Sequence, residues 1–315
     1  MNAISIKQVD AFTSEPFNGN PAAIVVGDDN LSDKQMLKIA NEMNLSETAY
    51  VLKSDKADLR IRWFAPESEI LFCGHATVAT MHVLAEEKLF GMSSFGEYDF
   101  KVETMVGILD IRVSVTENGT KVFLESPQIN LQELTLDMNE LASLFGISKS
   151  ELNSELPVMK DETMDYLLIP FKDLNSLRLA KYNDSVLQAF SDKHKIVGYS
   201  LFTTETYDKE SHYSSRFFIP GCGVGEDPVT GSANGPLAAY LVKNEVYKLG
   251  EGNKVILKAE QGDILGRKGR LDVEVSLAEN AELKTKLIGE AVTVLEGKLY
   301  LEGLNKEISE KLEIV

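Results

Sequence analysis

A chain of 315 residues with 43% apolar side chains exceeds what one compact core ordinarily serves, so one large or two medium domains are expected. Its formal net charge of −17 argues against nucleic acid or an anionic membrane as partner, since phosphate binding needs a basic surface, but still allows a small anion held locally by backbone N–H groups. Two cysteines, Cys73 and Cys222, are too few for a disulfide framework; the first ten residues alternate like a strand, and no apolar run reaches the roughly 20 residues of a membrane span, so a soluble cytoplasmic protein is expected.

In chain order, Ile4, Ile6 and Val9 open a strand that runs past Phe12 into a turn, Pro16-Phe17-Asn18-Gly19-Asn20-Pro21. Ala22 to Val26 reads as a buried strand ended by Gly27-Asp28-Asp29. Ser32 is placed to cap a helix carrying Met36, Leu37, Ile39, Ala40 and Met43. Strands are expected over Leu45–Leu52 and Ile61–Phe64, then a helix from about His75 to Leu89. Further strands are expected at Lys101–Thr104, Ile108–Val113 and Val122–Leu124, and Pro127 closes this half.

The second half opens with a helix capped by Asp137 and closed by Gly146. A strand at Tyr166–Ile169, a helix capped by Asp184 and a strand at Ile196–Phe202 follow. Ser215–Ile219 then leads through Pro220 into Glu226-Asp227-Pro228-Val229-Thr230-Gly231-Ser232-Ala233-Asn234 and an apolar helix. Strands at Val255–Leu257 and Leu271–Val275 precede an expected closing hairpin, Ala291–Leu295 and Lys298–Leu301, about Glu296-Gly297.

The halves repeat each other. Arg62-Trp63-Phe64-Ala65-Pro66 returns 154 residues later as Arg216-Phe217-Phe218-Ile219-Pro220, and Gly74-His75-Ala76 returns after 157 as Gly231-Ser232-Ala233. Glu103-Thr104 and Gly107-Ile108-Leu109 likewise match Glu260-Gln261-Gly262-Asp263-Ile264-Leu265. Two copies at so long a period indicate homologous domains and not a solenoid. Both landmark helices are apolar on nearly all sides, which requires each to be surrounded. The expected fold is therefore α+β, with two homologous domains, each a curved, mainly antiparallel sheet wrapped around a central helix. Boundaries are expected at 1–126 and 127–290, with 291–315 a candidate to complete the first domain. Pro236 lacks an N–H and fits best in a first turn, placing that helix start near Ser232 to Asn234.

An approximate twofold relation would bring the two Gly-led helix starts together. Free N–H groups at Gly74 to Ala76 and Gly231 to Ala233 would then attract a carboxylate. The plainer explanation is that each Gly only lets a sheet pack close. His75 stands where a helix dipole favours neutral imidazole. Asp227 is a cap, a turn residue or a catalytic partner, and Ser232 a cap or a substrate ligand. Glu47 alternates with Leu45, Ala49 and Val51; on a buried face such a carboxylate suits general acid–base work, and on the opposite reading that face meets solvent. His75, His82, His194, His212 and the two cysteines show no metal-ligand spacing, and no phosphate-binding glycine motif is present, so neither metal nor nucleotide is expected.

Val9-Asp10-Ala11-Phe12, Phe17-Asn18-Gly19-Asn20-Pro21-Ala22, Asn44-Leu45-Ser46-Glu47-Thr48, Cys73-Gly74-His75-Ala76 and Gly225 to Ala233 resemble, in that order and across nearly the whole chain, the phenazine-biosynthesis PhzF-like isomerases. The resemblance implies a diaminopimelate-epimerase-like fold, a cofactor-free site in the cleft between the domains, and a homodimer. The family's founding enzyme moves a proton in trans-2,3-dihydro-3-hydroxyanthranilate. Its catalytic glutamate corresponds to Glu47, and its supporting residues to His75, Asp227 and Ser232. Asn20, Cys73, Gly74, Ala76, Thr230, Gly231 and Ala233 fall at the implied binding positions for a small carboxylate-bearing substrate. Related epimerases carry a cysteine at each helix start; here Cys73 fills one place and Thr230 the other, while Cys222 lies eight residues too early. A racemase or epimerase using Cys73, and a metabolite-binding protein without catalysis, are the alternatives.

Overall fold

Strand pairing shows how the duplicated sequence folds. The computed structural model describes residues 3–27, 30–221, 225–278 and 280–301. The first half contains β1 (Ala3–Ala11), β2 (Asn20–Val26), α1 (Asp33–Met43), β3 (Glu47–Leu52), β4 (Leu59–Phe64), β5 (Glu69–Ile70), α2 (Gly74–Glu86), β6 (Gly96–Thr104), β7 (Gly107–Thr116) and β8 (Gly119–Glu125). The second contains β9 (Leu131–Glu133), α3 (Met138–Leu144), β10 (Met159–Asp161), β11 (Tyr166–Pro170), α4 (Leu174–Leu179), α5 (Asp184–His194), β12 (Gly198–Thr203), β13 (Tyr213–Ile219) and β14 (Gly225–Asp227). It continues with α6 (Gly231–Lys243), β15 (Lys254–Gln261), β16 (Gly269–Leu277), β17 (Leu283–Gly289) and β18 (Ala291–Tyr300).

The two halves share one pairing plan. β2 runs parallel to β3, β3 antiparallel to β4, and β4 lies between antiparallel β5 and parallel β6, which continues into the β6–β7–β8 meander. β11 to β17 repeat every one of these relations. The register aligns Phe64 with Phe218 and hence Glu47 with Gly198 and Ala22 with Tyr166. This is the duplicated α+β architecture of a sheet wrapped around a helix. β8 pairs with β17 across the halves, and β18 returns to pair with β1. No helix among the described residues is long and apolar enough to cross a membrane.

The central helices behave as their composition requires. Ala76, Val78, Ala79, Met81, Val83 and Leu84 of α2 and Leu237 to Leu241 of α6 are all buried in one continuous apolar core. Their burial is the hydrophobic term that wraps the sheets around them. α1 covers the outer face of the first sheet through Met36, Ile39 and Ala40, and α3 to α5 cover the second through Leu141, Leu177 and Leu187.

Four local expectations change. The closing hairpin is one strand: β18 pairs along all of β1, with Gly297 opposite Ile6, and a register shift at Gln8/Val9 absorbs the irregularity. Neither Glu296 nor Gly297 has the positive φ that a two-residue hairpin turn demands. β3 starts at Glu47, so Leu45 and Ser46 belong to the turn before it. Asn183 caps α5 and Asp184 is its first residue. Pro236 lies past the first turn of α6, so the Ser232 carbonyl loses its helical donor. Cys222 and residues 302–315 lie outside the described residues.

The repeat also duplicates an ion pair. Arg62 Nε and Nη2 grip Glu69 at 2.7 and 2.6 Å, and Arg216 Nε and Nη2 grip Glu226 at 2.8 and 2.7 Å. Each guanidinium also lies over the phenylalanine two residues on, Phe64 or Phe218. Arg216 alone additionally satisfies the buried carbonyls of Leu177 and Ala180, whereas Arg62 reaches the exposed Asp33. Arg216→Ala is therefore expected to cost about 3–5 kcal/mol of unfolding free energy, by stranding Glu226 and two carbonyls. Arg62→Ala should cost distinctly less. Urea unfolding of both variants checks this, and equal losses would contradict it.

Candidate active site

The site is built where the two central helices begin. Cys73 and Thr230 occupy equivalent N-cap positions, both with extended backbone, at φ −143° and −111°. α2 and α6 meet at their glycines: a Cβ on Gly74 would lie 3.9 Å from Gly231 Cα, and one on Gly231 would stand 3.0 Å from both Phe12 and Leu287. Gly231 thus serves close packing against Phe12 and Leu287, and the two helix starts approach each other at Gly74. Helix geometry leaves the N–H groups of Gly74 and His75, and of Gly231 and Ser232, without intrahelical acceptors. Two partial positive ends therefore share one small region.

Glu47 is the first residue of β3 and points to the α2 side. It alternates with Ala49 and Val51, which pack in the core with Ala76 and Val78. The question left by alternation is answered: this face turns inward. Glu47 Oε2 lies 2.9 Å from His75 Nε2, with side chains 17% and 7% exposed, so the carboxylate forms the mouth of the pair and the imidazole its floor.

On the other edge of the ring, His75 Nδ1 is 3.1 Å from Asn20 Nδ2 and 3.4 Å from Cys73 Sγ. The Asn20 amide also donates to Asp227 Oδ1 at 2.8 Å and to the Val229 carbonyl at 2.9 Å. Asn20 is wholly buried, and it joins His75 of the first half to Asp227 of the second. Its own position is set by the preceding turn. Gly19 has φ +61° and lies so close to the Ala11 carbonyl that only glycine fits. Arg267, from the second half, binds the carbonyls of Asn18 and Gly19 and the buried Asp10 carboxylate, which also accepts the Phe17 N–H. These bonds account for the two N-terminal motifs in physical terms.

The α6 start is wired by a residue that sequence reasoning used only as a repeat landmark. Gln261 accepts from the Thr230 N–H and from Asn234, and donates to the Asp227 carbonyl and to Thr230 Oγ1. The Thr230 hydroxyl in turn donates to Asp227 Oδ2. Ser232 does not cap the helix; its half-buried hydroxyl lies 3.3 Å from the Tyr166 hydroxyl. Tyr166 packs with Phe217 and Ala233. Its place opposite Ser232 repeats that of Glu47 opposite His75 from the neighbouring strand, and the strand-register equivalence was the one available clue. Ala76 is fully buried at the first turn of α2, and its N–H meets Cys73 Sγ at 3.5 Å. His82 stays apart, a half-buried ring near Lys7 and Glu86 whose proton affinity burial lowers.

Charge and burial set the protonation states. Burial opposes the His75 imidazolium, but the Cys73 sulfur and the Glu47 carboxylate more than reverse that, and its pKa lies well above the ordinary value. The neutral ring expected from the helix dipole alone is therefore corrected by a neighbouring carboxylate that the sequence did not place there. Burial pushes the Cys73 thiol up to about 11, with Glu47 adding to the effect. Burial also lifts Asp227 to about 6, against opposing contributions from His75 and Thr230. Glu47, Cys73 and His75 offer three potential metal-ligand atoms within 4.8 Å of one another, a set that no linear spacing announced. A separate cavity of about 540 Å³, lined by residues such as Tyr207, Lys258 and Arg270, shares no residue with this cluster.

Comparisons with known proteins agree along the length of the chain. Residues 9–297 match the PhzC-PhzF family of phenazine biosynthesis-like proteins. An uncharacterized isomerase of Clostridium acetobutylicum is 34% identical over 303 residues, covering 94% of this chain and 98% of its own. The uncharacterized isomerase YddE of Escherichia coli K12 is 35% identical over 302 residues, covering 94% and 98%. The crystal structure of a PhzF-family phenazine biosynthesis protein from Bacillus anthracis superposes with a TM-score of 0.86 at 32% identity, covering 95% of this chain and all of the other.

The raised Asp227 pKa has a thermodynamic consequence. The folded state holds this proton more tightly than an ordinary aspartate at 3.8, so the stabilisation is complete below about pH 4 and lost as pH rises through about 6. Asp227→Asn removes the cost of burying the ionised form. Relative to the unmodified protein, the variant should gain about 1–3 kcal/mol between pH 4 and pH 7 and level off above. Denaturant unfolding across that range tests it; a flat difference would refute the assignment.

Proposed function

This chain belongs to the phenazine biosynthesis-like (PhzC-PhzF) protein family, and on that premise we propose that it is a cofactor-independent isomerase that relocates a proton within a small carboxylate-bearing metabolite. Isomerase-type chemistry on a small metabolite is the family's activity. The finer reading is that Glu47 is the general acid–base. The observation that carries it is the 2.9 Å approach of Glu47 Oε2 to His75 Nε2 beside the two joined helix starts.

One carboxylate can take a proton from one substrate carbon and return it to another when both lie over the same face. His75 Nε2, 2.9 Å from Glu47 Oε2, holds that carboxyl group in place between turnovers. The substrate carboxylate lies against the free N–H groups at the two helix starts, which also stabilise negative charge that develops as the proton leaves. Ser232 and Thr230 contribute polar contacts from the second half. Asp227 and Asn20 hold the imidazole and the α6 start in register, so their contribution is positioning. Cys73 is a poor base here because its thiol stays protonated near neutral pH. With Thr230 at the matching helix start, a two-thiol epimerisation lacks its second sulfur.

The test is isotope exchange. Small carboxylates that raise the melting temperature are incubated with the protein in deuterated water and followed by NMR. Glu47→Gln should lower exchange by about 10²–10⁴-fold with the fold intact. Cys73→Ala should stay within about tenfold of the unmodified protein. Undiminished exchange in Glu47→Gln would remove Glu47 from the role. Inversion of configuration that Cys73→Ala abolishes would establish the thiol reading, and binding without exchange of any ligand would establish a non-catalytic one.

A further inference from the structure

We propose that the hydroxyls of Tyr166 and Ser232 together hold an uncharged oxygen on the substrate carbon next to its carboxylate, which makes Tyr166 a specificity-determining residue and the substrate a 2-oxo or 2-hydroxy acid. This rests on the two helix starts as the seat of a substrate carboxylate, and deepens that reading. Tyr166 is only 7% exposed, and its hydroxyl stands 3.3 Å from Ser232 Oγ. That separation exceeds the roughly 2.5–3.0 Å of a good O–H···O bond. Two hydroxyls carry two protons, and a bond between them uses one. Among the described residues neither hydroxyl has a further partner, and Asp227 does not serve, its oxygens accepting from Asn20 and Thr230. One proton is therefore left without an acceptor beside a buried phenol, which costs free energy until an oxygen arrives. An oxygen lodged between the two hydroxyls takes both protons.

The surroundings decide which oxygen this is. The Tyr166 ring lies edge-on to Phe217, with centroids 4.8 Å apart. Gly198, paired with Tyr166 on β12, is pressed by the same Phe217 ring and has no room for a side chain, so that position brings no acid to the phenol. Burial raises the Tyr166 pKa, and Asp227, Asp161 and Cys73 add to the effect, so the phenol stays a neutral donor at neutral pH. Asp227 stands beside the start of α6 and Cys73 caps α2, so both helix starts act on one hydroxyl, and Asp227 disfavours a second anion there. Ser232 sets the spacing. Its backbone N–H, free at the second position of α6, and its hydroxyl are three bonds apart, so the oxygens they hold are close neighbours in the ligand. A carboxylate oxygen on the N–H and an oxygen on the adjacent carbon meet that demand.

Pyruvate and propionate differ only by the oxygen in question and are small enough to serve as probes of the pair. Ligand-observed NMR titration of the full chain should show pyruvate bound about tenfold more tightly than propionate. Tyr166→Phe keeps the ring against Phe217 and removes only the hydroxyl. It should lower that ratio at least about threefold and leave propionate affinity within about twofold, a pattern that a merely structural phenol does not produce. Ser232→Ala should lower the ratio as well, which decides the case if Tyr166→Phe fails to fold, and the double variant should bring it to about one. Equal binding of the two acids by the unmodified protein, or an undiminished ratio in folded Tyr166→Phe, overturns the role of the pair and leaves the carboxylate seat standing. Equal loss of both acids in Tyr166→Phe places the phenol on the carboxylate and overturns the assignment of the second oxygen. Binding of neither acid overturns the seat and this proposal with it. The titration involves no proton exchange, so the role of Glu47 is read separately.

Discussion

The constraint on which the rest of the molecule depends is the contact between the N-terminal ends of α2 and α6. Two helices, each apolar on nearly all sides, must be enclosed, and each half supplies a sheet to enclose one. The two ends then approach each other at Gly74 and Gly231. Two positive helix ends side by side repel each other unless negative groups compensate. Glu47 and Asp227 stand beside them. The same contact thus joins the halves, gathers free backbone donors, and places them beside Glu47 and Asp227.

The scaffold is symmetric and its chemistry is not. Cys73 and Thr230 are equivalent caps, and His75 and Ser232 equivalent second residues of the two helices. From the neighbouring strands, Glu47 meets His75 in the first half and Tyr166 meets Ser232 in the second. The position equivalent to Glu47 is Gly198, against which the Phe217 ring packs too tightly for any Cβ. One half therefore offers a carboxylate and an imidazole, the other a phenol and a hydroxyl. Asn20 bridges them, and Arg267 reaches back from the second half to fix the turn that carries it. The halves share one site and are tied together through it.

This wiring also sets the protonation states. In isolation, a histidine at a helix start would be neutral and a cysteine there would be acidified. Here the Glu47 carboxylate raises His75, and burial keeps the Cys73 thiol protonated. The local dipole is outweighed by a full charge at hydrogen-bonding distance and by desolvation, both of which are tertiary effects.

The amino-acid sequence by itself determined the duplication, the two enclosed helices, the α+β class and the motif positions. Those properties rest on composition, periodicity and spacing, which are local or repeat in register. Glu47, His75, Asp227 and Ser232 were legible as candidates because each lies in a motif. Their partners were not. The face on which Glu47 lies, Asn20 as a bridge, Gln261 as the brace of α6, Tyr166 beside Ser232, and the gathering of Glu47, Cys73 and His75 all depend on which distant strands share an edge. The closing strand was misread for the same reason: Glu296-Gly297 has turn composition, and only the length of β1 on offer beside it decided for a continuous ladder. Local chemistry proposes conformations, and the partner available across the sheet selects among them, because a backbone polar group buried without a partner costs more than any local preference supplies.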